Sequence, residues 1–262
     1  MSVEELNPPL ISKNGSALLR VEGLSRRFGG VKAVTDLSFS ISSSEIVGLI
    51  GPNGSGKSTS VGLIAGQIAP SSGRIFLAGE DITHAGQEHR VRAGLARTFQ
   101  TTSIFPEFTA FENTLVGAHV REASRVERRS GGAATDKGSH SRSVLDFVGL
   151  GSVHDHPATS LSSSQQRLLM IAVALASGPD LVLLDEPAAG MVAKERRDLC
   201  ALIAKIGASG IAVLVIEHHM GLIMEVCDRI VVLNFGQTIA HGPPSEIAKN
   251  SAVIEAYLGK AN

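Results

Sequence analysis

Glu45-Ile46-Val47-Gly48-Leu49-Ile50 followed by Gly51-Pro52-Asn53-Gly54-Ser55-Gly56-Lys57-Ser58 is the stretch that decides the fold. Its first half is nearly continuous in apolar residues, which predicts a buried strand. Its second half fits G-x-x-x-x-G-K-[ST] at every fixed position, and a helix is predicted from about Lys57 to Gln67. Strand, glycine-rich loop and helix in that order make a phosphate cradle. Glycines let the backbone wrap an anion at a distance that side chains would block. Backbone amides point inward and the helix N-terminus adds partial positive charge. The pattern assigns Lys57 to the β- and γ-phosphates of a nucleotide and the Ser58 hydroxyl to Mg²⁺. Gly51 to Ser58, with Thr59 after them, are the predicted nucleotide-binding residues.

A second strand carries the matching acids. Leu181-Val182-Leu183-Leu184 leads into Asp185-Glu186. Asp185 stands where a magnesium carboxylate is needed, and Glu186 is placed to polarise an attacking water.

Working outward, apolar strands at 18–24, 34–41, 74–77, 211–216 and 230–233 alternate with helical stretches at 161–176 and 195–206. Such alternation implies a parallel sheet with helices on both faces. Residues 111–120 and 144–150 read as helical, and 244–258 as one or two closing helices. Residues 1–16 read as a flexible tail, and 121–143, charged and Gly/Ser-rich, as an exposed, mobile connection.

Composition narrows the function. Lys and Arg total 24 against 25 Asp and Glu, so a basic nucleic-acid-coating surface is not expected. Nine Phe, one Tyr and no Trp leave an aliphatic core and few base-stacking platforms. Cys200 and Cys227 make no disulfide framework and read as buried thiols. The longest apolar run, Leu168 to Ala176, is far shorter than the roughly 20 residues that span a bilayer. No secretory signal is read at the N-terminus, so a soluble, cytoplasmic protein is expected, with any membrane role coming through a partner.

With both motifs placed, the chain from about Leu18 to Leu258 resembles an ABC-type ATP-binding subunit. The resemblance implies an α/β fold: a RecA-like P-loop NTPase core with a small antiparallel β subdomain and an inserted α-helical subdomain. The core and β parts would span about 17–99 and 177–241, the helical part about 100–176, and the C-terminal helices about 242–262. It also implies roles. Phe28 sits where the family stacks an aromatic on adenine, Gln100 matches the glutamine that contacts Mg²⁺ and water, and His218 matches the histidine that reaches the γ-phosphate. Leu161-Ser162-Ser163-Ser164-Gln165 holds the signature position, normally LSGGQ, so Ser162, Ser164 and Gln165 would face the nucleotide of a second subunit. Lys57, Glu186, Gln100 and His218 would be the catalytic group, and Ser58, Gln100 and Asp185 the Mg²⁺ group.

A finer resemblance runs through Arg97-Thr98-Phe99-Gln100, Ile104 to Thr109, Glu112-Asn113, Glu186 to Gly190 and Ala256-Tyr257-Leu258-Gly259. These look like the ATPases of branched-chain amino-acid importers, with urea, amide and lipopolysaccharide-export ATPases sharing parts of the pattern. The resemblance implies ATP and Mg²⁺ as cofactors and integral membrane permeases as partners. It also implies a second ATPase in a hetero- or homodimer, a substrate-binding protein indirectly, no nucleic acid, and a place on the inner face of the cell membrane.

Two positions depart from the family. Ser164 stands where the signature has glycine, and Val192 where the close family has Asn or Asp. In the family that glycine amide lies against the γ-phosphate of the facing subunit, so a serine there is expected to add steric and conformational strain at that close approach. Both act across a dimer, whereas the residues acting within the chain are intact. An asymmetric heterodimer is therefore expected. The alternative is an ATP-binding regulatory module with weak hydrolysis. A DNA-repair ABC ATPase conflicts with the neutral charge and the lack of a long coiled-coil insertion.

Overall fold

The structure is a computed structural model that describes residues 17–98, 104–128 and 136–258, with side chains left out over 121–128 and at 258. Two sheets organise it. The first is antiparallel, in the order β2-β1-β4-β5, from β1 (Leu19–Phe28), β2 (Val31–Ile41), β4 (Ser72–Leu77) and β5 (Glu80–Asp81). The second has the order β10-β9-β3-β8-β7-β6, from β3 (Ile46–Ile50), β6 (Leu95–Arg97), β7 (Leu181–Asp185), β8 (Ala212–Ile216), β9 (Arg229–Asn234) and β10 (Gln237–Gly242). Its strands run parallel except β10, which pairs antiparallel with β9.

Every residue of β3, β7 and β8 is buried. A parallel sheet is covered on both faces, so its central strands lose the polar alternation of half-exposed ones. The helices on the sheets are α1 (Lys57–Ile64), α2 (Gln87–Arg92), α6 (Ala193–Ala208), α7 (Met220–Val226), α8 (Pro244–Ile247) and α9 (Ser251–Leu258).

A helical unit, α3 (Ala110–Arg128), α4 (Lys137–Phe147) and α5 (Ser163–Ala176), interrupts the second sheet between β6 and β7. Gly117 on α3 allows its closest contact: a Cβ there would meet the Val173 carbonyl of α5 at 2.2 Å. The connection expected over 121–143 is largely helical instead. α3 continues to Arg128 and α4 starts at Lys137, with Asp136 accepting from the Ser139 amide at its N-cap. Residues 129–135 lie outside the described part.

Both cysteines are buried and free. Burial, foremost, pushes the Cys200 thiol up to about 11 and the Cys227 thiol up to about 12, so neither is a thiolate near neutrality. Among the described residues no helix is long and apolar enough to cross a membrane.

Candidate functional site

The phosphate loop joins β3 to α1 at the edge where the parallel strands end. Gly56 has φ +103, and a Cβ there would meet the Ala33 carbonyl at 2.5 Å. Only glycine fits that backbone and that gap. The β9–β10 turn holds the loop from the other side. The Gly236 amide donates to the Ser55 carbonyl at 2.9 Å, and the Thr35 amide to the Gly236 carbonyl at 2.7 Å.

Lys57 folds into the cradle, its Nζ donating to the Gly51 and Pro52 carbonyls at 2.8 and 3.0 Å. Burial pulls its pKa below the ordinary lysine value, while Glu186 and then Asp185 push it back up. The ammonium is therefore held inside by two carbonyls, which incoming phosphate oxygens can replace, with the Glu186 and Asp185 charges favouring its protonated form. Ser55 Oγ is buried in the loop without a hydrogen-bond partner. A cavity of about 380 Å³ opens on the loop, lined by Lys32, Gly54, Lys57, Ser58, Glu186 and Phe235 among others. A buried ammonium, an orphaned hydroxyl and inward-facing loop backbone fit a phosphate chain. The Ser58 hydroxyl and the Asp185 carboxylate beside Lys57 are hard oxygen donors that fit Mg²⁺.

The acids differ in setting. Asp185 ends β7 and is 6% exposed, with Arg97 Nη2 on its Oδ2 at 2.9 Å. The Asp185 amide donates to Thr98 Oγ1 at 3.3 Å. Glu186 takes φ +48, and its amide donates to the Ile216 carbonyl at 2.9 Å. A left-handed non-glycine residue is disfavoured and persists only where its surroundings enforce it. Here the turn aims the carboxylate into the cavity beside Lys57.

His218 leaves the end of β8 half exposed, its ring against His219 with centroids 4.8 Å apart. Glu217 fixes this turn, a role that the sequence reading did not identify. It is fully buried, and its Oε1 accepts from the Ala188 amide at 2.7 Å. Its Oε2 accepts from the His218 amide at 3.1 Å. One carboxylate thus ties the loop after Glu186 to the loop bearing His218. An acid closing an all-apolar strand was the available signal.

Phe28 ends β1 at 45% exposure with the Arg26 guanidinium 4.6 Å from its ring centroid. The cavity is lined instead by Val31 of the same hairpin and by Phe235, an aromatic left 83% exposed at the β9–β10 turn. Gln100 lies outside the described residues.

The signature segment is well formed. Ser162 Oγ accepts from the Gln165 amide at 3.2 Å and Gln165 Oε1 accepts from the Ser162 amide at 2.9 Å, a capping box on α5. Ser164 sits in the first helical turn of α5 and is not among the residues with positive φ. Its hydroxyl bonds Ser162 Oγ at 3.0 Å. Val192 precedes α6 and has no side-chain acceptor, so α6 keeps only half a capping box: Glu195 Oε2 accepts from the Val192 amide at 2.9 Å. That bond, then the Ser164 hydroxyl, hold the Glu195 carboxyl below its ordinary pKa. Ser164 and Val192 therefore meet at one carboxylate.

The family model described as ABC transporter matches residues 34–189. That described as branched-chain amino acid ATP-binding cassette transporter matches residues 237–261. The chain is 40% identical to the high-affinity branched-chain amino acid transport ATP-binding protein BraF of Pseudomonas aeruginosa, covering 93% of this chain and 98% of that one. It is 37% identical to LivG of Escherichia coli, a protein of the same description, with the same coverage. It is 32% identical to the lipopolysaccharide export system ATP-binding protein LptB of E. coli. A crystal structure of an ATP-binding cassette of an ABC transporter in its ADP conformation superposes with a TM-score of 0.83 at 30% identity, covering 93% of this chain and 99% of that one. The chain belongs to the ATP-binding subunits of ABC transporters, enzymes that couple ATP hydrolysis to transport.

Proposed function

We propose that this chain powers an importer of branched-chain or closely related amino acids. It would work as one of two paired ATPases held on the inner face of the cell membrane by permease subunits and served by a substrate-binding protein. The observation that carries the cargo is the likeness to the branched-chain proteins: 37–40% identity to BraF and LivG against 32% to the E. coli export ATPase, joined to the C-terminal match at 237–261.

In the proposed reaction, the loop Gly51 to Thr59 and Lys57 hold the phosphates, and Phe28 takes one face of the adenine. Ser58, Asp185 and Gln100 hold Mg²⁺, which when bound neutralises charge developing on the phosphates. Glu186 accepts a proton from the attacking water as that oxygen bonds the γ-phosphorus and the bond to ADP breaks. His218 steadies the γ-phosphate from the loop that Glu217 braces. Ser162, Ser164 and Gln165 face the second subunit's nucleotide. The segments about 17–99 and 177–241 carry the nucleotide, about 100–176 forms the helical part in which Gln100 and residues 101–120 pass motion to the permeases, and 242–262 closes the chain.

A second reading, a regulatory module with weak hydrolysis, is favoured by Ser164 and Val192 alone. The cargo reading is tested by reconstituting the chain with its co-purifying permeases, ATPase partner and binding protein in vesicles. ATP-dependent uptake of labelled leucine, competed by isoleucine and valine, is the expected result. Uptake of urea or a short amide with leucine excluded would overturn it.

A further inference from the structure

Arg97 is the last residue of β6, and it pairs in parallel register with Leu183 of β7. Asp185 therefore lies two residues further along β7. The Arg97 side chain crosses that gap, and both partners are withdrawn from solvent, Arg97 at 12% and Asp185 at 6% exposure. Its second arm, Nη1, donates to Gln67 Oε1 beyond the end of α1. The guanidinium is thus strapped between the far end of the phosphate-loop helix and the acid at the end of β7. Lys57, the neighbouring cation, is engaged with the Gly51 and Pro52 carbonyls.

A nearly buried carboxylate is costly when uncompensated and attracts any cation it can reach. A guanidinium is a permanent charge that bonds a carboxylate oxygen with good geometry. It cannot serve as Mg²⁺ does, because it offers no coordination sites.

We propose that Arg97 is a resident counter-ion of Asp185 in the nucleotide-free protein, so that loading the metal is an exchange of cations in which Arg97 must let go. This rests on the reading of Asp185 as the magnesium carboxylate and adds to it a positioning residue. The exchange has two consequences. The empty site is protected from an unpaired buried acid. Metal affinity is also lowered by the fraction of molecules in which Arg97 occupies the carboxylate. Release of the guanidinium simultaneously frees Gln67, so that the state of the acid is reported at the end of α1.

The test uses the purified full chain stripped of metal with EDTA and a fluorescent N-methylanthraniloyl ATP. Mg²⁺ is titrated at fixed nucleotide, and thermal unfolding is followed in parallel. Arg97→Gln retains a polar side chain and removes the charge. It is expected to lower the half-saturating Mg²⁺ roughly fivefold or more. It should also lower the thermal midpoint of the metal-free protein, with the deficit closing as Mg²⁺ is added. Gln67→Ala loosens the strap without touching the pair, so it should shift the Mg²⁺ midpoint in the same direction by less. That variant decides the matter if Arg97→Gln does not fold.

A Mg²⁺ midpoint unchanged or raised by these variants, while Asp185→Asn weakens the Mg²⁺ response, would overturn the exchange. It would leave Arg97 as a brace that helps the acid bind metal. A Mg²⁺ titration indifferent to Asp185→Asn would instead overturn the underlying assignment of Asp185, and the exchange with it.

Discussion

Glu186→Gln will keep nucleotide in the site and remove turnover. The substitution preserves size and hydrogen bonding but takes away the proton acceptor beside the Lys57 ammonium. The backbone at Glu186 is held in the left-handed region by its amide bond to Ile216, so the side chain's aim does not depend on its charge. A positioned general base contributes roughly 10²–10⁴-fold. The expected loss of kcat is of that order, measured as phosphate release in a single-turnover and a steady-state assay. Labelled ATP should remain bound through gel filtration. Turnover within about threefold of the parent would place this chain with the weakly hydrolysing regulators, because a residue outside the chemistry can be neutralised at little cost.

The second large effect lies away from the chemistry. Arg90 on α2 is 1% exposed, and its guanidinium donates to four carbonyls. Nη1 reaches those of Leu63 and Ile64, both at 2.7 Å, Nη2 that of Thr83 at 3.1 Å, and Nε that of Ala85 at 3.0 Å. Leu63 and Ile64 close α1, so Arg90 bonds its helix-end carbonyls, of which that of Leu63 also accepts from the Gly66 amide at 3.2 Å. It also sets its positive charge at the negative end of the helix dipole. Burial lowers its pKa to about 10, which leaves it charged near neutrality.

Arg90→Met fills much of the volume and takes the donor away from the Ile64, Thr83 and Ala85 carbonyls. Each buried, unsatisfied group costs about 1–3 kcal/mol, so a total of about 3–5 kcal/mol is expected. That corresponds to a fall of roughly 10 °C in the thermal midpoint. Calorimetry of the variant checks it, and a change under about 2 °C would mean that water reaches the end of α1. Because α1 begins at Lys57, ATP should recover part of the loss by binding only the folded state.

The parts of the molecule legible in the sequence are those whose physics is local. The phosphate loop is a contiguous run in which each glycine and the Lys57-Ser58 pair are required together. β7 is an apolar run that ends in its own acids. α5 is an apolar run long enough to declare itself a helix. What was missed is set by distant partners. β5 has two residues and β6 three, too few for a period, and each exists because a longer strand pairs with it. The Arg97–Asp185 bond joins residues 88 positions apart, and only the register of β6 on β7 brings them together. Glu217 reads as one more acid until the loop bearing Ala188 folds over it. The charged stretch after residue 120 misled for a related reason: α3 and α4 are helices that pack on each other and on α5, contacts that a charged, Gly/Ser-rich composition does not announce.

Ser164 shows the limit in the other direction. Its departure from the signature was plain in the sequence, but its surroundings were not: its hydroxyl is bonded to Ser162 and lies beside the Glu195 carboxylate. In the proposed pairing, that anion beside a second subunit's γ-phosphate would disfavour closure.

In the proposed pairing this chain completes its own half of a nucleotide site and serves its partner's half poorly. Steady-state phosphate release measured for the chain alone, for a partner ATPase with an intact LSGGQ signature alone, and for the two mixed is the direct test. The mixture should exceed the sum of the separate rates, and Ser164→Gly should raise the rate of this chain by itself. Full turnover by the isolated chain, unchanged by Ser164→Gly and merely additive with the partner, would contradict it.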